Sequence, residues 1–221
     1  PRLVELLCTR GESDETVLRL AGLLRAIAGR SVYLAFLADN PDALTRVVDL
    51  FAASSWIAQQ ITRHPLLLDE LLDARALYAP PDQARLHALL GAQLVGADDL
   101  ESAMETLRAF KNSQVLRVAA SDITGQFPIA EVSNQLTYIA EVCVSYALDL
   151  AWRDLAAKYG TPRCADGAAS REVQVAVIGY GKLGGWELGY GSDLDLVFLH
   201  DSAGEAQRTD GERPIENPVF L

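Results

Sequence analysis

The chain has 221 residues, half of them apolar, enough to bury a core in more than one unit. With 30 acidic against 19 basic residues its formal charge is −11, and without a Lys/Arg cluster neither nucleic acid nor an anionic membrane is an expected partner. No apolar run is long enough to span a bilayer, and three widely spaced cysteines (Cys8, Cys143, Cys164) without metal-ligand spacing fit reduced thiols in a cytoplasmic protein.

From about Glu15 to Gly160 the pattern predicts consecutive helices. Thr16–Ala28 carries Val17, Leu20, Ala21, Leu24 and Ile27 at helical spacing. Asn40-Pro41 reads as an N-cap followed by proline at the first helical position, with Leu44, Val47, Val48 and Phe51 on the buried face. Ser54 or Ser55 caps the next helix, Trp56 to Arg63; Pro65 interrupts it and Leu66–Leu72 resumes. After Pro80-Pro81 comes a weaker helix, Gln83 to Leu94. The longest helix is expected from Asp98, with Glu101 as capping partner, to Ile123, with Gly125 as its stop. Another follows Ser133, turning Leu136, Ile139, Ala140, Cys143, Ala147, Leu150 and Ala151 inward and ending at Tyr159-Gly160-Thr161-Pro162. Tyr33, Tyr138 and Tyr146, at helical spacings, read as core.

The period then changes. Arg163–Ser170 reads as a loop of small residues, and Val173–Ile178 and Asp195–Leu199 as strands. Residues 201–218 read as a polar surface loop. The fold class is therefore α followed by α/β: a mostly helical bundle over residues 1–165, then the opening of an α/β domain over 171–221. With no initiator Met at Pro1 and an apolar segment just beginning at Leu221, the chain reads as a truncated piece of a longer polypeptide.

Gly191-Ser192-Asp193-Leu194-Asp195-Leu196 is the most telling segment. A Gly-Ser turn leads into a strand whose alternation would turn Asp193 and Asp195 to one face and Leu194, Leu196 and Phe198 to the other. Two acids on an otherwise apolar strand are costly unless a cation neutralises them, and hard oxygen ligands suit Mg²⁺. That chemistry is metal-dependent phosphoryl or nucleotidyl transfer. A rival motif overlaps it: Gly179-Tyr180-Gly181-Lys182-Leu183-Gly184 spells the dinucleotide fingerprint, with Asp201 as the ribose-binding acid. Against it, Gly184, Gly185, Gly189 and Gly191 leave too little helix for a parallel crossover. Lys182 would neutralise a phosphate or simply be exposed; Glu187 reads as surface charge and His200 as a strand-end residue rather than a ligand.

The run from Gly181 to Leu196, GKLGGWELGYGSDLDL, resembles the signature of the glutamine synthetase adenylyltransferases, as do Ala52–Asp73 and Leu107–Gly125 further upstream. The catalytic domains of that bifunctional bacterial family belong to the polymerase-β-like nucleotidyltransferases. Tyr180, Trp186, Gly189-Tyr190-Gly191 and Gln114 are similar to the C-terminal, AMP-adding half; the adenylyl-removing half is the alternative. The resemblance implies transfer of AMP from ATP to a tyrosine of glutamine synthetase, in regulation of nitrogen assimilation. Gly191 and Ser192 would meet the β- and γ-phosphates, with Lys182 beside them, and Asp193 and Asp195 would hold Mg²⁺. A third carboxylate would come from a later strand beyond Leu221, so the fragment alone should be nearly inactive. Implied partners are glutamine synthetase and a PII-type signal protein; a helical module that only docks such partners is a second reading.

Overall fold

The computed structural model describes residues 2–166, 169–204 and 207–221. In chain order the helices are α1 (Arg2–Arg10), α2 (Asp14–Ile27), α3 (Ser31–Asp39), α4 (Pro41–Ala53), α5 (Ser55–Arg63), α6 (Ala74–Leu77), α7 (Gln83–Leu94), α8 (Leu100–Ile123) and α9 (Ile129–Tyr159), with a 3-10 segment, Pro65–Leu71, between α5 and α6. Short strands and two four-residue helices complete the described residues: β1 (Pro162–Asp166), β2 (Ala169–Glu172), β3 (Val175–Tyr180), α10 (Gly181–Gly184), β4 (Asp195–His200), β5 (Arg208–Thr209) and α11 (Asn217–Phe220). The protein is thus mostly helical with a small antiparallel sheet region. Among the described residues no helix is long and apolar enough to cross a membrane. The chain divides into two compact units: residues 1–82 with 110–135, and residues 83–109 with 136–221.

In the first unit most of the apolar stripe residues read from the sequence become the core, although Val17 and Leu24 of α2 stay exposed and Leu23 is buried instead. Leu20, Leu23 and Ile27 of α2, Val47, Val48 and Phe51 of α4, and Ile57 and Ile61 of α5 are buried almost completely. Each such side chain contributes on the order of 1.5–3 kcal/mol of hydrophobic stabilisation. Ser54 caps α5, its hydroxyl accepting from Ile57 N–H at 3.2 Å. Arg46 donates from Nε to Leu71 O at 2.7 Å, satisfying a carbonyl at the end of the 3-10 segment. Glu70 binds that segment to α8, accepting from Ser113 Oγ at 2.6 Å and Arg117 Nε at 2.8 Å.

Several local expectations change. Asn40 occupies the N-cap position of α4 but does not cap it: its amide donates to Phe36 O at 2.9 Å, closing α3 instead. The segment after Pro65 is 3-10, not α, because proline forces His64 out of helical dihedrals and the run restarts tightly. The start of α8 is capped by Asp99, not Asp98: Ser102 N–H donates to Asp99 Oδ1 at 2.7 Å, and Asp99 N–H donates back to Ser102 Oγ at 3.2 Å. That reciprocal pair is a capping box one residue later than the pattern suggested. The longest helix is α9, with 31 residues against 24 in α8. It opens after Pro128 rather than at Ser133, since Pro128 O already accepts from Glu131 and Val132 N–H. Its later turns expose Ala147 and Ala151, and Tyr33, Tyr138 and Tyr146 are half-buried rather than core.

In the second unit, the described part of the expected loop, residues 163–166 and 169–170, is strand, and residues 167–168 lie outside the described residues. β1 pairs antiparallel with β2 from Arg163↔Glu172 to Asp166↔Ala169, and with β5 through Arg163↔Arg208, which buries Cys164. The described residues of 201–218 are likewise not a plain surface loop: Asn217 is fully buried, donating to Arg163 O at 2.7 Å and Ser202 Oγ at 2.8 Å, and just beyond them Phe220 packs edge-on against Trp152 of α9, ring centroids 5.0 Å apart. β3 and β4 form a separate antiparallel pair, from Val175↔His200 to Tyr180↔Asp195. Val175, Val177 and Gly179 alternate half-buried with exposed Ala176, Ile178 and Tyr180.

Candidate nucleotide and metal site

The β3–β4 ribbon and the segment that joins its strands carry the metal and phosphate residues singled out by sequence. β3 ends at Tyr180, α10 makes a single turn, and residues 185–194 return the chain to β4. Because the two strands run antiparallel across a four-residue helix, the parallel crossover that a dinucleotide fingerprint needs is absent here. Asp201, the candidate ribose acid, is engaged elsewhere. Its carboxylate accepts from Gln174 N–H at 2.7 Å and pairs with Arg171 at 2.7 Å, which together hold its pKa below the usual carboxylate value. The dinucleotide reading is therefore set aside. Asp210 is similarly structural, accepting from Arg163 Nε and Thr161 N–H, each at 2.8 Å, which lowers its pKa.

Asp195 is the first residue of β4 and is exposed. Its cross-strand partner is Tyr180, and β3 has no further residue to pair because the chain turns into α10. Asp193 consequently lies on the irregular segment before the strand, so strand alternation does not by itself align the two carboxylates. Both acids are exposed, which corrects the argument from burial: water can solvate them, and no desolvation penalty demands a cation. What remains is donor chemistry. Two carboxylates and a serine hydroxyl within four residues, without thiol or imidazole, suit a hard divalent cation that completes its shell with water and phosphate oxygens. Among the described residues no three His, Cys, Asp or Glu side chains gather to hold a metal, so the chain offers two carboxylates and not a closed cage.

The ground under Asp195 is specific. Gly181 has φ +54°, and a Cβ there would clash with Asp195 Oδ2 and lie 3.3 Å from its Cγ. A glycine at this turn is what lets the carboxylate settle against the backbone of α10. Ser192 is fixed by two bonds to one residue: its Oγ accepts from Gly189 N–H at 3.0 Å and its N–H donates to Gly189 O at 3.1 Å. With the backbone N–H taken, the hydroxyl proton is the Ser192 donor left for a ligand. Gly191 is exposed, with open space where a side chain would be. Lys182 and Glu187 are both exposed, as is His200 at the end of β4.

Trp186 carries a structural feature that sequence reading, which used it only for the resemblance, did not draw out. It ends α10 in a Schellman arrangement, Trp186 N–H donating to Leu183 O at 3.2 Å and Glu187 N–H to Lys182 O at 2.8 Å. The residue at that position takes left-handed dihedrals and is ordinarily glycine, yet here tryptophan sits at φ +58°. That backbone costs about 1–2 kcal/mol. The ring meets Tyr138 of α9 edge-on, centroids 5.5 Å apart and planes at 90°, a contact worth about 0.5–1.5 kcal/mol. The signal was in the sequence: two glycines precede a tryptophan where the helix has to stop.

Comparison with known proteins adds the chemistry of relatives. The family model described as "Glutamate-ammonia ligase adenylyltransferase" matches residues 44–221. A bifunctional glutamine synthetase adenylyltransferase/adenylyl-removing enzyme of Thioalkalivibrio sulfidiphilus is 55% identical over 213 residues, covering 95% of this chain and 22% of the relative. Proteins of the same description from Hahella chejuensis and Pseudomonas putida are 50% and 46% identical over 223 residues, covering all of this chain and 23% of each relative. The chain thus spans less than a quarter of the length of the relatives it matches.

Proposed function

The chain belongs to the glutamate-ammonia ligase adenylyltransferase family, and on that footing we propose that it helps transfer AMP from ATP to a tyrosine of glutamine synthetase. The observation that carries the reading is the approach to β4, where Ser192 and Asp193 lead into Asp195, whose carboxylate Gly181 leaves room for. The finer assignment follows the resemblance. Residues 171–221 open a nucleotidyltransferase-type catalytic domain, the helices over residues 1–165 form its bundle, and the segment belongs to the AMP-adding half. Glutamine synthetase is the substrate partner, a PII-type signal protein a second one, and the cytoplasm the setting.

In this reading Asp193 and Asp195 would hold Mg²⁺, whose positive charge would offset the charge developing at the α-phosphate. Ser192, with one lone pair already engaged by Gly189 N–H, donates its hydroxyl proton to a terminal phosphate oxygen. Gly191 lets the phosphates approach the backbone, and exposed Lys182 brings a cation to the same end of the nucleotide. The acceptor phenol attacks the α-phosphorus, the bond from that phosphorus to the pyrophosphate oxygen breaks, and the phenolic proton passes to water or a carboxylate. A phenol ionises near pH 10, so a nearby base or cation has to lower that barrier.

The test is AMP transfer from labelled ATP to purified glutamine synthetase, using the natural protein that contains this chain. Label that disappears in the Asp193→Asn, Asp195→Asn double variant supports the reading. Label that persists in the variant puts the site elsewhere, and no label from folded wild type removes the AMP-adding assignment.

A further inference from the structure

Trp186 stands at a position where glycine would be free of strain, directly after two glycines that could have served. Burial does not explain it, because the side chain is 44% exposed. The ring borders a cavity of about 380 Å³, alongside Ser145, Leu148, Leu183 and Leu196. Among the described residues its defined ring contact is the edge-on approach to Tyr138. Left-handed backbone kept at a half-exposed tryptophan marks a residue whose place matters for the segment on its C-terminal side.

That segment is the loop from Glu187 to Leu194, which carries Gly191, Ser192 and Asp193. Leu188, 4% exposed, anchors its beginning from within, and Ser192 folds back on Gly189. Trp186 sets the direction in which this loop leaves α10, and Tyr138 ties that direction to the long helix α9. We propose that Trp186, held against Tyr138, is a positioning residue that pre-orders the Gly191–Asp193 loop for the nucleotide triphosphate. This rests on the adenylyltransferase reading above. A loop ordered beforehand loses little further entropy on binding, so loss of the tie should appear in nucleotide KM and leave kcat nearly unchanged.

Trp186→Gly removes the ring and keeps, even favours, the left-handed backbone, so it isolates the contact from the turn. Tyr138→Leu removes the other partner, and Trp186→Phe restores an aromatic edge. The measurements are amide hydrogen exchange over residues 187–194 and the kinetics of AMP transfer, both in the intact natural protein. Exchange in the loop should quicken about tenfold in Trp186→Gly and Tyr138→Leu. It should quicken no further in the double variant, and Trp186→Phe should recover much of the loss. KM for Mg·ATP should rise about tenfold in the same two variants, with kcat within twofold. Unchanged loop exchange overturns the proposal whatever the activity, as does faster exchange with unaltered KM. A wild-type protein that transfers no AMP defeats the functional reading instead, while loop exchange still decides whether Trp186 holds the loop.

Discussion

Replacing Gly181 by alanine puts the candidate site under the most direct strain. At φ +54° an alanine is left-handed, which costs about 1–2 kcal/mol. For a chain of this size that lowers the melting temperature by about 2–8 °C. The larger effect is local. The new methyl would clash with Asp195 Oδ2 and lie 3.3 Å from Cγ and 3.7 Å from Cβ of the same residue. An aspartate can swing about χ1, so the clash is relieved by moving the carboxylate by roughly 1 Å to ordinary contact distance, not by breaking the strand pair. A displacement of that size in a group that orients a reacting phosphate costs on the order of 10²-fold in rate. The assay is AMP transfer to glutamine synthetase in the intact protein, titrated with Mg²⁺, beside a thermal melt. Gly181→Ala should cut the rate about a hundredfold and raise the Mg²⁺ concentration needed for half-maximal rate, with only the small thermal shift. A rate within twofold of wild type at every Mg²⁺ concentration would refute the argument that Gly181 exists to seat Asp195.

Packing and charge elsewhere in the chain lead to three more expected outcomes. A Cβ on Gly211 would lie 2.5 Å from Gly160 N and from Tyr159 O, backbone atoms that cannot turn away, so Gly211→Ala should destabilise by about 3 kcal/mol in a denaturant titration; a loss below about 0.5 kcal/mol would show that the crossing can spread. Ser54→Ala removes the acceptor for Ile57 N–H and should cost about 1 kcal/mol, whereas Ser55→Ala, one residue into the helix, should cost much less. Asp201 and Asp210 have pKa values depressed by hydrogen bonds and by Arg171 and Arg163. Depressed folded values mean their stabilisation is complete above the ordinary aspartate pKa, near 4, and is lost as pH falls through the folded values. Exchange protection of β1, β3 and β4 should therefore fall off below about pH 4, and less of that loss should remain in Asp201→Asn. A pH response identical in wild type and variant would show that Asp201 has no part in it.

How much of the fold is legible in the sequence varies with the range of the interaction involved. Apolar residues every three or four positions announce α2, α4, α5 and α7, because one turn of helix decides which side chains meet the core. The cap of α8 is displaced by one residue from its expected place, since Asp98 and Asp99 stand side by side and only geometry chooses between them. The hairpin of β1 and β2 is hidden: Arg163–Ser170 has little strand character of its own, and pairing with β5 some forty-five residues later completes it. Burial of Asn217 within a polar stretch is equally invisible, because its partners, Arg163 O and Ser202 Oγ, are distant or irregular in sequence.

At the site, residue types alone settle the donor chemistry. Gly-Ser followed by two aspartates two residues apart names hard oxygen donors beside a close backbone approach, and that inventory needs no coordinates. How those groups are presented is a matter of the folded chain. Antiparallel pairing of β3 with β4 excludes the dinucleotide alternative, and ends the ladder at Asp195 so that Asp193 lies outside the strand. Folding also engages Asp201 with Arg171 and Gln174, and sets Gly181 beneath one carboxylate and Trp186 against Tyr138. The difference comes from distance along the chain. Local periodicity and donor type are properties of neighbouring residues, whereas strand direction, register and the contact of a ring with a helix some fifty residues away exist only once the chain has folded.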